Sequence, residues 1–325
     1  MLRAAIYGMG RWGSRLVESV QGSEKFKFVK GISREPEKHK EFSQKTGIKV
    51  VSSYGRVLKD PEIDAVVLAT PHSLHMKHVI QAAKAGKHVF VEKPMTLTRK
   101  TAEKAVEACR TAGITLGVGF NRRYAPSFVE TMSRIRAGTI GDVLHVEASH
   151  SGPTGYGLKA GNWRSTRAEA PGGGMTARGI HTLDAMIQVA GLVTSVYAFS
   201  DKRKLPGDID MDDTTSMLLR FASGATGSLS TLFVTGELYR VHVFGSKGWL
   251  EIRGDTELVA RGLEGQPERV ALQAADKERA GFEAFADAVA QKQPGTVPYE
   301  EAINGVAVLE AIPISAAKGK AIKIQ

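Results

Sequence analysis

Leu2-Arg3-Ala4-Ala5-Ile6-Tyr7-Gly8-Met9-Gly10-Arg11-Trp12-Gly13 opens the chain and decides its fold. Leu2 to Tyr7 is a short apolar run. The glycines follow at once with the spacing G-x-G-x-x-G. Ser14-Arg15-Leu16-Val17-Glu18-Ser19-Val20 is then amphipathic. Strand, glycine turn and helix in this order form a dinucleotide-binding turn, in which each glycine has a task. Gly8 permits the tight turn off the strand. Gly10 lets the backbone approach a pyrophosphate with no Cβ in the way. Gly13 lets helix and strand pack closely. The helix N-terminus adds free N–H donors and a partial positive charge, and Arg11 and Trp12 flank the same place.

Working outward, 325 residues suit two domains better than one core. No apolar run approaches the ~20 residues that span a bilayer, and the chain enters a strand at once, so neither a membrane segment nor a targeting peptide is expected. The single cysteine, Cys109, excludes an internal disulfide. It lies in a helical pattern as an inert buried thiol, which suggests a reducing cytoplasm. The net charge of +10 comes from scattered basic residues paired with acids, as in Arg34-Glu35-Pro36-Glu37-Lys38. No basic block or nucleic-acid motif is present, so nucleic acid is not an expected partner. A basic surface remains, or a field that draws an anionic cofactor or substrate.

Residues 1–120 alternate strand and helix. Strands are expected at Phe26–Ile32, Asp64–Ala69, His88–Val91 and Ile114–Phe120. Helices are expected at Pro36–Thr46, Leu74–Ala85 and Leu97–Ala112. Such repetition means a doubly wound parallel sheet. Residues 121–325 read differently. A helix over Ser127–Ala137 precedes alternating runs at Val143–Ala148, Thr214–Phe221, Thr226–Leu232, Arg240–Phe244 and Trp249–Ile252. Short turns join several of them, so a large, mostly antiparallel sheet is expected. Helices at about Asp276–Gln291 and Tyr299–Ala317 close the chain, the last packing back towards the first domain. The fold class is therefore α/β: a dinucleotide-binding domain followed by a substrate-binding and oligomerisation domain.

The end of the second strand chooses the cofactor. An acidic residue about 20 positions past the glycines would bond the ribose 2′-hydroxyl of NAD. This chain has Ser33-Arg34 there, and a hydroxyl beside a guanidinium suits a 2′-phosphate. NADP is favoured. NAD remains the alternative, because Glu35 reaches the ribose if the turn shifts by one.

Three more segments complete the pattern: Thr70-Pro71-His72-Ser73-Leu74-His75, Glu92-Lys93-Pro94, and Gly172-Gly173-Gly174-Met175-Thr176-Ala177-Arg178-Gly179-Ile180-His181-Thr182-Leu183-Asp184. In this order they resemble the glucose–fructose oxidoreductase / inositol dehydrogenase / MocA family across nearly the whole chain. The resemblance implies hydride transfer between a nicotinamide and a hydroxyl-bearing carbon of a sugar, polyol or related compound. It also implies a homo-oligomer, dimer or tetramer, built on the second-domain sheet. By position, Lys93 matches the family lysine near the reacting oxygen and His181 the acid/base histidine. Asp184 would bind substrate hydroxyls. Thr70, Pro71, His75 and Glu92 fall on the cofactor side.

The chemistry of these residues agrees. Glu92-Lys93 lies at the carboxyl end of a parallel strand, where ligands sit in such sheets. An ammonium there stabilises negative charge developing on an alcohol or carbonyl oxygen. A histidine accepts or returns a proton near neutrality. Other candidates are Asn121 for the nicotinamide amide or the substrate, Tyr124 as a pocket wall, and Trp163, in the glycine-rich loop Ser151 to Ala170, to stack on a sugar face. The sequence departs from the family four residues before His181, where many members carry an aspartate and this chain has Ala177. On a helix those positions share a face. Arg178 could face the site and meet a substrate carboxylate. The departure leaves two other readings open: a nicotinamide-dependent glycosidase, and an NADP(H)-sensing protein without catalysis. No metal set is expected, since His72, His75 and His78 have helical spacing but no acidic or cysteine partner nearby.

Overall fold

In the computed structural model, which describes residues 1–324, the chain forms two compact units. One comprises Met1–Thr96, Lys100–Asn121 and Asp276–Tyr299, and the other Leu97–Arg99, Arg122–Ala275 and the residues from Glu300 on.

The first unit runs β1 (Leu2–Tyr7), α1 (Arg11–Ser19), β2 (Phe26–Ile32), α2 (Lys40–Thr46), β3 (Lys49–Val51), α3 (Tyr54–Leu58), β4 (Ala65–Leu68), α4 (His75–Lys84), β5 (His88–Val91), α5 (Arg99–Ala112) and β6 (Leu116–Val118). Its sheet is parallel, in the order β3-β2-β1-β4-β5-β6. The order reverses between β1 and β4, and at such a point the turns leaving the strands part to open a crevice. β4 is buried along its whole length, as a continuous apolar run in a covered sheet should be. The expected helix at Pro36–Thr46 divides into a 3-10 turn, Pro36–His39, and α2. Likewise a 3-10 turn, His72–Leu74, precedes α4. Pro36, with its preset φ, opens the first of these turns.

The helix at Lys277–Ala290 belongs to this unit. Phe282 and Phe285 on it are fully buried, and Phe282 stacks on Phe26 with ring centroids 4.8 Å apart. Phe28 and Phe90 complete the aromatic cluster. Each such ring buries on the order of 150–250 Å², and that attachment outweighs proximity in sequence. Beyond the helix, Pro294 accepts a hydrogen bond from the Leu116 N–H, and Gly295 bridges to Leu116, so the β6 edge is covered.

The second unit contains α6 (Pro126–Arg136), β7 (Val143–Ser151), α7 (Ile180–Ala190), β8 (Val193–Asp201), β9 (Thr214–Phe221), β10 (Thr226–Leu232), β11 (Leu238–Gly245), β12 (Gly248–Arg253), β13 (Glu257–Gly262) and β14 (Glu268–Ala271). The helix already placed in the first unit is α8, and α9 (Tyr299–Lys318) and β15 (Ile322–Lys323) follow. The sheet order is β14-β13-β12-β11-β7-β10-β9-β8-β15, antiparallel except for the β7–β10 pair. Strand β8 was not among the expected runs, although Val193, Val196 and Ala198 are buried. α9 stays with this unit after its first residue. α7 is buried from Ile180 through Ile187, so its few polar side chains sit in the interior, where they must be partnered.

Candidate active site

In the first unit the glycine turn can be tested residue by residue. Gly8 has φ +110°, and a Cβ on it would collide with the carbonyl of Ala69 at the end of β4. A Cβ on Gly13 would collide with the carbonyl of Gly8. The chain itself therefore demands both. Gly10 differs: its φ is −74°, and a Cβ there would meet nothing within 4 Å. Neither conformation nor packing asks for glycine at this position, whereas a pyrophosphate lying against the backbone does. No side chain caps the N-terminus of α1, and its first turn holds no acid. These residues fit a dinucleotide. The Trp12 Nε1 is buried beside the turn without a protein partner.

At the end of β2 the Ser33 hydroxyl accepts from the Glu35 N–H at 3.2 Å and lies 3.1 Å from His39 Nε2. Arg34 is exposed. Glu35 pairs with Lys38 at 2.6 Å, which lowers its carboxyl pKa.

After β4, the Thr70 hydroxyl lies 3.2 Å from His78 Nδ1. His78 packs against Tyr7 and Tyr54. Burial first, then the neighbouring His75, lowers its pKa to about 4. The ring of His75, fully buried, joins two turns: Nε2 lies 2.9 Å from the Thr70 carbonyl and Nδ1 3.0 Å from that of Pro94. The helically spaced histidines are thus absorbed into the packing beneath the turns after β4 and β5. Pro71 immediately precedes the 3-10 turn there.

After β5, Glu92 is buried, and its Oε2 accepts from the Lys93 N–H at 3.3 Å. A Cβ on Gly119 would meet the same carboxylate. Lys93 is half-buried and precedes a cis peptide bond to Pro94. Asn121, past β6, donates to Glu278 at 2.8 Å, while its Oδ1 is buried without a protein partner. That oxygen suits an amide N–H donor of a nicotinamide.

The second unit holds the other candidates. His181 and Asp184 lie near the start of α7, both buried. Asp184 does not point to open space. Arg123 donates to both its oxygens, and also to Glu301 at 2.6 Å. Burial opposes the Arg123 charge, but the two carboxylates outweigh it and raise its pKa.

Two residues near His181 escaped the sequence reading. His150, buried on β7, has its ring 6.1 Å from that of His181, and its Nδ1 lies 2.9 Å from the Arg178 carbonyl. Its cross-strand partner on β11 is Tyr239, whose ring meets it edge-on at 5.1 Å. The Tyr239 hydroxyl is buried without a protein partner, and burial raises its pKa. Arg122 lies over that ring at 4.0 Å. The signal was period two: Val146, Ala148 and His150 lie on one face of β7, beyond where the strand was expected to stop.

Ala177 and Arg178 lie elsewhere than a regular helix would put them. Met175–Gly179 is a π-helical turn, which shifts the face on which successive residues fall. Ala177 packs against the apolar cluster of Ala170, Leu205, Ile209, Met211 and Phe233. The Arg178 guanidinium is spent on Thr154, the Ser151 carbonyl and Glu237. Trp163 is half-buried in a 3-10 turn, with the Arg164 guanidinium 4.3 Å over its ring. Tyr124 ends the 3-10 turn Asn121–Tyr124.

Comparisons with known proteins find likenesses along much of the chain. A family model described as an oxidoreductase family with an NAD-binding Rossmann fold matches residues 2–120, and the GFO/IDH/MocA C-terminal domain matches residues 128–251. An uncharacterized oxidoreductase, YrbE, of Bacillus subtilis is 32% identical over 253 residues, covering 75% of this chain and 71% of its own. The scyllo-inositol 2-dehydrogenase (NAD(+)) of the same organism is 31% identical, covering 76% and 72%. Among solved structures, the aldose-aldose oxidoreductase of Caulobacter crescentus complexed with glycerol superimposes with a TM-score of 0.89, at 28% identity over 99% of each chain.

Proposed function

The chain belongs to the GFO/IDH/MocA family of NAD-binding oxidoreductases, and on that premise we propose that it transfers a hydride between NADP and a hydroxyl-bearing carbon of a sugar, polyol or related polyhydroxylated compound. The bare Gly10 against open space is the observation that carries dinucleotide use. When bound, the nicotinamide supplies the two-electron hydride acceptor or donor. The Lys93 ammonium holds the reacting oxygen and stabilises negative charge as it develops there. His181 takes the hydroxyl proton on oxidation and returns it on reduction. His150 and Tyr239 line the His181 side and orient substrate hydroxyls. Asp184 serves by fixing Arg123 and the start of α7. Asn121 accepts from the nicotinamide amide.

NADP is preferred because Ser33 and Arg34 present a hydroxyl and a guanidinium at the ribose position, while Glu35 is engaged by Lys38. A second copy of the chain covers the open face of the large sheet, where Leu218 and Phe199 are about 60% exposed. No helix among the described residues is long and apolar enough to cross a membrane, and a lone buried thiol suits a reducing compartment such as the cytoplasm. The test is a screen of sugars and polyols with either cofactor, read by nicotinamide absorbance. Turnover that vanishes in Lys93→Ala supports the reading. Cofactor binding with no turnover on any such compound would refute it. Bond cleavage with no net change in cofactor redox state identifies a glycosidase instead.

A further inference from the structure

We propose that Arg122 is a positioning residue: its guanidinium, laid over the Tyr239 ring and held by Asp255, fixes the phenol so that its hydroxyl meets a substrate oxygen. The inference rests on the reading of Tyr239 as a substrate-orienting residue and adds a residue to it. All of these groups lie in the second unit. Arg122 stands in the 3-10 turn Asn121–Tyr124, just before α6. Its guanidinium carbon is 4.0 Å from the centre of the Tyr239 ring, and its Nη1 donates to the Asp255 carboxylate. The backbone fixes both neighbours. The Gly254 N–H donates to the Tyr239 carbonyl at 3.0 Å, which ties the turn after β12 to β11. The Ser127 N–H donates to the Asp255 carbonyl at 3.0 Å, and the Ser127 hydroxyl to that of Gly254 at 2.9 Å. The start of α6 and the turn after β12 are thereby joined, with Arg122 beside the joint.

A cation over an aromatic face is drawn to the negative side of the ring quadrupole, and more strongly where water is excluded. The Arg122 side chain is 17% exposed and Tyr239 only 6%, so this is not a loose surface contact. The His150 ring stands nearly perpendicular to that of Tyr239, with centroids 5.1 Å apart. Cation and imidazole together hold the phenol in one orientation. Its hydroxyl is buried and bonds to no protein atom. Leaving a buried hydroxyl unpaired is costly, and a substrate hydroxyl would complete it. Burial raises the phenol pKa, and the Arg122 charge works against that rise. The group stays a neutral hydroxyl that donates to, or accepts from, an alcohol oxygen.

Steady-state kinetics of the full chain decide the matter, with the sugar or polyol of highest turnover in the screen above as substrate. The variants are Arg122→Met, Arg122→Lys, Tyr239→Phe and the double variant Arg122→Met/Tyr239→Phe. Tyr239→Phe is expected to raise the substrate KM about tenfold, the size of one hydrogen bond, with kcat and dinucleotide affinity within about twofold. Arg122→Met should raise KM about three- to tenfold. Arg122→Lys, which keeps a cation beside the ring, should recover part of that loss. The double variant should match Tyr239→Phe within about twofold, because a residue that acts through the phenol then has nothing to act on. If the Arg122→Met effect persists in full without the phenol, the role of Arg122 falls and Tyr239 keeps its place in the site. If Tyr239→Phe leaves KM unchanged, both fall. If the parent chain turns over none of the compounds, the oxidoreductase reading falls and takes this proposal with it. A lower melting temperature in Arg122→Met, with KM and kcat of the folded enzyme unchanged, marks a structural residue and also overturns the proposal.

Discussion

Arg123 grips Asp184 with two parallel hydrogen bonds, Nε to Oδ2 at 2.9 Å and Nη2 to Oδ1 at 2.7 Å, three residues beyond His181 on α7. Both side chains are over nine-tenths buried. A carboxylate held in this way is committed to structure before any substrate arrives. Removing it strands a buried guanidinium, which costs about 3–5 kcal/mol in comparable pairs. Asp184→Asn should fall at or below the low end, since Glu301 still holds Arg123. Thermal unfolding checks this, with an expected drop of several degrees.

Gly10→Ala and Gly13→Ala should separate binding from folding. The first places a Cβ in open space and should cost less than about 1 kcal/mol of stability. It should nevertheless weaken dinucleotide binding at least tenfold, because the methyl occupies the pyrophosphate's path. Gly13→Ala drives a Cβ into the Gly8 carbonyl and should lower the melting temperature of the free protein. Unchanged cofactor affinity in Gly10→Ala would argue that no phosphate lies against this turn.

Lys93→Ala should reduce kcat by about 10²–10³, the usual cost of losing one preorganised donor to a developing oxyanion. Affinity for the dinucleotide should change little. Steady-state kinetics together with cofactor titration tell this from a collapsed site, in which both would suffer.

His78 gives stability an acid limit. Its folded pKa of about 4 lies below the ordinary value of 6.5, because burial and the nearby His75 disfavour the charge. The unfolded chain therefore binds more protons between these values. The His78 contribution is complete above about pH 6.5 and is lost as the pH falls towards 4. Urea midpoints measured across that window should decline with acid, and His78→Phe, which keeps a ring against Tyr7 and Tyr54, should flatten the decline.

Cys109 is buried, and burial raises its thiol pKa to about 12. Thiolate is the reactive form. The native protein should resist a thiol reagent at neutral pH, and the unfolded chain should react at once. Rapid labelling of the folded protein would contradict the burial of α5 against its sheet.

What the sequence determined was local or periodic. G-x-G-x-x-G between an apolar run and an amphipathic one, alternating β-α units, and hairpin turns in the second half suffice for the two sheets, because each rests on backbone conformation and on spacing of 2 or 3.6 residues. Glu92-Lys93 at a strand end was legible for the same reason. Tertiary structure decided what depends on long-range contact. α8 joined the first unit because Phe282 and Phe285 found Phe26 and Phe90, a match that no local pattern encodes. Asp184 turned from a presumed ligand to a gripped counter-ion because Arg123, 61 residues away in sequence, reaches it. Ala177 and Arg178 left the face expected of them because one π-helical turn changed the period on which that face was reckoned. His150 and Tyr239 came together through strand register, and His39 met Ser33 through a break between two short helices. For α8, Asp184, His150 and Tyr239 the partner was set by the packing of distant segments, which burial free energy selects and sequence spacing does not record; for Ala177, Arg178 and His39 it was a local departure from regular helical period that spacing alone cannot announce.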